Sequence, residues 1–75
     1  MQELLKSIAQ GLVEHPDEVV VTAEQANSGT VYHLHVSESD MGRVIGKQGR
    51  IAKAIRVVMR AAATRSNEKI SVEID

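Results

Sequence analysis

The residues best placed to do chemistry lie in one stretch, Val44-Ile45-Gly46-Lys47-Gln48-Gly49-Arg50-Ile51. Glycine has no Cβ, so Gly46 and Gly49 can take backbone angles closed to other residues and let a bulky ligand approach the main chain. Arg43, Lys47, Arg50 and Lys53 bring cations to the same place, and Gln48 adds a polar amide. The residues from Arg50 onward repeat at helical spacing, so the glycines are expected to form a loop at a helix N-terminus, where free N–H groups and the dipole favour an anion. Such a segment suits the holding of a phosphate.

Two familiar phosphate loops do not fit. A nucleotide-binding P-loop requires G-x-x-x-x-G-K followed by Ser or Thr, but Met41 stands at the first glycine position and Gln48 follows Lys47. A dinucleotide fingerprint requires G-x-G-x-x-G directly after a strand, and Val44 occupies its first glycine. Enzymatic phosphate chemistry is not expected either: residues 41–65 contain no carboxylate to hold a metal ion, and Ser39 and Asp40 are only sequence neighbours of His35. What remains is G-x-x-G between apolar pairs.

The net charge of -1 hides a strong segregation. Residues 1–40 hold one cation against seven acids (1 - 7 = -6), residues 41–65 hold seven cations and no acid (+7), and residues 66–75 hold one cation against three acids (-2). A localised anion-binding face follows, and it coincides with the glycines. Tyr32 is the single aromatic residue, and Phe and Trp are absent. The core must therefore be aliphatic, and base stacking on aromatic rings is not the expected mode of binding. With no cysteine there are neither disulfides nor thiolate metal sites. His33 and His35 share a strand face and His15 lies near Pro16, too few converging ligands for a metal site. No unbroken apolar run marks a leader or a membrane span.

The elements that must position the stretch can be read from periodicity. Leu4, Leu5, Ile8, Ala9, Leu12 and Val13 predict an amphipathic helix over 2–13, ended by Pro16. Val19 to Thr22 predict a strand over 18–25, Asn27-Ser28-Gly29 a turn, and the alternation from Val31 to Val36 a second, antiparallel strand. Ser39 or Asp40 suits the N-cap of a short helix reaching about Ile45. A longer helix is expected from about Gly49 to Thr64, with Ile51, Ile55, Val58 and Ala62 along one stripe, and 70–74 alternate as a last strand.

The string V-I-G-K-Q-G-R-I-A-K-A-I-R, preceded by Asp40-Met41-Gly42-Arg43, resembles the KH domain of RNA-binding proteins, whose G-x-x-G loop joins two helices and clamps a four-nucleotide backbone. The resemblance extends over residues 1–75 as a single domain and is nearest to the stand-alone bacterial KhpA family. It implies an α+β fold of type II, α-β-β-α-α-β, with three helices on one face of a three-stranded sheet. It also implies single-stranded RNA contacts from Gly46, Lys47, Gln48, Gly49, Arg50, Arg43 and Lys53, with Val44, Ile45 and Ile51 either flooring an aliphatic groove or serving as core. Arg56, Arg60 and Arg65 are assigned neither role. Members of that family are regarded as non-enzymatic RNA chaperones and post-transcriptional regulators of the cytoplasm. They self-associate or pair with the second KH protein KhpB (Jag), are linked to cell-wall homeostasis and cell length, and need no cofactor. The competing expectation is a protein-interaction or dimerisation module, with helix 49–64 packed on a partner and RNA contact incidental.

Overall fold

The computed structural model describes residues 1–74, with the side chains of Lys47 and Gln48 left outside the description. Helix α1, Gln2–Leu12, buries Leu5 and Ala9, one helical turn apart, while its polar residues face out. Val13 is already extended, and Pro16, its φ pre-set by the ring, opens a single turn of 3-10 helix over Pro16–Glu18. That turn takes Glu18, the first residue expected for a strand, and Val19 caps it, so β1 runs from Val20 to Ala26 instead.

Two residues, Asn27 and Ser28, link β1 to β2, Gly29–His35, in an antiparallel hairpin. Gly29 is at φ +129, and a Cβ there would lie 2.2 Å from the carbonyl oxygen of Lys69, so only glycine lets β2 begin against the lead-in to β3. Strand β3, Ile70–Ile74, lies parallel to β2, giving the order β1-β2-β3. Parallel neighbours need a crossover, and the long helical segment between them supplies it.

Period-2 alternation sorts the sheet into two faces. Val21, Leu34 and Ile74 stand in one row and Tyr32 and Val72 in the next, under the helices, while Ala23 beside Tyr32 on the edge strand stays exposed. Val20 with His35, and Thr22 with His33 and Glu73, stand on the uncovered side. Of the three successive valines, Val19 and Val21 are therefore buried while Val20 is half exposed.

Helix α2 spans Glu38–Arg65. It begins at Ser37, earlier than Ser39 or Asp40, because the Ser37 hydroxyl accepts from the Asp40 N–H in an S-x-x-D arrangement. It ends in a Schellman closure: Glu68 N–H donates to the Ala63 carbonyl at 2.8 Å and Asn67 N–H to that of Thr64, with Asn67 at φ 55. A straight helix of these 28 residues would be about 42 Å long, yet the longest axis of the molecule is 33 Å. The break is at Gly49, whose φ of +68 no right-handed helix contains. Both expected helices are present as the two halves of α2, so with α1 three helical segments pack on one face of the sheet. Leu5, Tyr32, Leu34, Val36, Val44, Ala52, Ile55 and Met59 make the core between the layers.

Candidate nucleic-acid interface

The glycine segment is not the loop its composition suggested. Helical hydrogen bonding runs on either side with no non-helical stretch of its own, and the two halves meet at one left-handed residue. Gly46 stays within the helical range and leaves its surface bare, since a Cβ there would meet nothing within 4 Å. Two glycines can do this because one tolerates an inverted φ and the other keeps the inside of the bend free of side chain.

At the bend lies an open groove of about 520 Å³, lined by Gly42, Arg43, Gly46, Arg50 and Ile51. Gly42 is the residue that composition did not single out. Its signal was the spacing of four to Gly46, which puts both glycines on one side of the helix and widens the bare strip. Arg43 and Arg50 stand on the rim and Ile51, half buried against the core, supplies apolar floor. Val44 is 1% exposed and belongs to the core, whereas Ile45 next to it is 51% exposed. Gly49 forms the bend itself, and Lys53 is exposed one turn beyond it. The expected contributions of the Lys47 and Gln48 side chains lie outside the described residues.

Arg56 and Arg60 point elsewhere. With Met59, Ile70, Ser71 and Val72 they line a smaller cavity of about 210 Å³ between α2 and β3. Arg56 Nε donates to the Val72 carbonyl at 3.4 Å, covering the outer edge of the sheet, where an unpaired strand would otherwise invite another chain. Arg65 sits in the last turn of α2, where a cation suits the helix C-terminus.

The approach to the groove is braced from α1. Asp40, 2% exposed, accepts from the Glu14 N–H, the His15 N–H and the Ser37 hydroxyl, each at 2.9 Å. Burial by itself would raise the Asp40 carboxyl. The Glu14 N–H, the Ser37 hydroxyl, the His15 N–H and the His15 side chain together outweigh it and hold the group below the ordinary carboxylate range. The segment after α1 is thereby fixed to the first turn of α2, and from it the Glu14 carboxylate reaches Arg43, with Oε1 2.6 Å from Nη2. Tyr32 is buried, which leaves no aromatic ring at the groove or on any described surface.

The family described as KhpA/KhpB, KH domain, matches residues 2–74. The chain belongs to that family. Among its relatives, a protein of Listeria monocytogenes named RNA-binding protein KhpA is 53% identical over 99% of this chain and 97% of its own length. Proteins of the same name from Clostridium acetobutylicum and Chlamydia muridarum are 51% and 42% identical, over 99% of this chain in both cases and 99% and 95% of theirs. No solved structure matches the chain. KH domains of this family are non-enzymatic, and this chain is not an enzyme. Among the described residues no helix is long and apolar enough to cross a membrane.

Proposed function

We propose that the protein binds single-stranded RNA at the bend of α2 and acts in the cytoplasm as an RNA chaperone or post-transcriptional regulator. The observation that carries this reading is the groove itself: two arginines and two bare glycines around an isoleucine, within a segment of charge +7. Backbone phosphates meet Arg43, Arg50, Lys47 and Lys53 and pass close to Gly46 and Gly49, while bases face Ile51 and the exposed Ile45. Three phosphates neutralised on a single strand correspond to a slope of about -2 in log K against log salt. Titration with a single-stranded oligonucleotide at low salt, followed by amide resonances, tests the reading. Shifts concentrated in residues 42–53 support it, and unmoved resonances there refute it.

One module covers few nucleotides, so pairing with a second copy or with KhpB (Jag) would raise affinity through effective concentration. In support, Val57 and Val58 are 61% and 46% exposed on the outward side of α2, with the exposed Ala54 and Ala61 along the same stripe. By resemblance, such pairing connects the protein to cell-wall homeostasis and cell length. The same stripe favours the second reading, a protein-interaction module with incidental RNA contact. Crosslinking in cells separates the two, since RNA attached at residues 42–53 supports the first and its absence the second.

A further inference from the structure

The +7 segment contains no acid of its own, yet one carboxylate is held at the rim of its groove. Glu14 comes from the segment that follows α1, 29 residues before Arg43 in the chain, and its Oε1 lies 2.6 Å from the Arg43 guanidinium. Its presence there is not an accident of a loose side chain. The Glu14 N–H is fixed by the buried Asp40, which also holds the next N–H and the helix cap, so the backbone that carries Glu14 is part of the fold. The pair itself remains half open to solvent, with Arg43 50% and Glu14 63% exposed at the side chain. An arginine so placed already has an anion on it, in the manner in which it would take a phosphate oxygen.

We infer that Glu14 sets the affinity of the groove for polyanion by competing with phosphate for Arg43, an inference that rests on the RNA-binding reading above. A strand entering the groove must displace the carboxylate before Arg43 contributes, so Arg43 yields only the difference between the two partners. Because the pair is exposed, the exchange is easy and salt-sensitive. The carboxylate also refuses strands that cannot offer a phosphate at that point, since Arg43 then keeps its own partner.

The test is a double-mutant cycle on the intact protein, with a fluorescent oligouridylate as probe and anisotropy as readout. At low salt Glu14→Gln should tighten binding about two- to fivefold, the range an exposed ion pair supports. It should steepen the salt slope by about 0.7, one more phosphate fully engaged by Arg43. In an Arg43→Ala background the same change should do nothing, and at high salt the gain should vanish. The Gln side chain leaves the backbone bond to Asp40 intact, and an unchanged melting temperature verifies that. Unchanged or weaker binding by Glu14→Gln overturns the inference, the latter meaning that Glu14 serves only to hold Arg43 in place. Equal tightening with and without Arg43 also overturns it, since the acid then acts only through its general field. If Gly46→Asp leaves wild-type affinity untouched, the groove is not the RNA site and the underlying reading falls instead.

Discussion

Replacing Gly46 by alanine should make the protein more stable and a poorer binder of RNA, two effects that ordinarily move together. Gly46 lies inside α2 and is not among the glycines with positive φ, and a Cβ built on it meets nothing within 4 Å. Neither strain nor collision opposes the methyl group. An interior helical glycine costs about 0.5–1 kcal/mol relative to alanine through the freedom it loses on folding. In a domain of this size that gain raises the melting temperature by roughly 2–8 °C. In the groove the same methyl stands where the nucleic-acid backbone would lie against bare main chain. Losing one such approach should weaken binding on the order of tenfold, or about 1.4 kcal/mol. Thermal melting by circular dichroism and anisotropy titration of the same sample read both quantities. Gly11→Ala, near the end of α1 and also free of neighbours, is the control that should stabilise slightly and leave RNA binding alone. A Gly46→Ala protein that melts higher and binds as before would refute close approach at the bend.

Three further outcomes test the frame around the site. Gly29→Ala should lower the melting temperature by more than about 8 °C, since the methyl would meet the Lys69 carbonyl at 2.2 Å and φ is +129, strain of at least about 2 kcal/mol; a change of a degree or two would contradict it. Asn67→Gly should stabilise by up to about 1 kcal/mol in chemical denaturation, because φ 55 is left-handed and glycine enters it without penalty, whereas Asn67→Ala should destabilise. Asp40→Asn should lower the melting temperature at neutral pH. The folded Asp40 carboxyl titrates below its ordinary 3.8, so its stabilisation is present above pH 3.8 and is lost as pH falls through the lower folded value. The gap between variant and wild type should therefore narrow on acidification, and a gap constant from pH 7 to pH 2 would dismiss the assigned role.

Several parts of the molecule could be read from the order of residues because each depends on near neighbours. Leu5 and Ala9 are one turn apart, so α1 had a buried side wherever it packed. Alternation along 31–36 and 70–74 assigned the two faces of their strands, and the run of cations without acids from 41 to 65 marked α2 as the basic element, though only the structure separated Arg43 and Arg50 at the groove from Arg56 and Arg60 beside β3. The fold class and family followed from the string around Gly46 and Gly49, now matched by residues 2–74. The core side of Val44 was not legible, because it and Ile45 are adjacent apolar residues and which one turns inward depends on where α2 starts and how it seats on the sheet. The start itself shifted to Ser37 because Asp40, the candidate cap, is engaged by N–H groups 25 and 26 residues earlier.

The sequence by itself determined the order of helices and strands, which element carries the positive charge, and that no aromatic platform is available, all consequences of side-chain type and local spacing. Only the tertiary structure decided that the glycine segment is a bend without a loop, that Gly42 joins its bare surface, and that Glu14 stands against Arg43. The bend rests on one inverted backbone angle at Gly49, and the Glu14–Arg43 pair on the docking of the segment after α1 against the first turn of α2, a contact between distant parts of the chain that leaves no periodic trace in either.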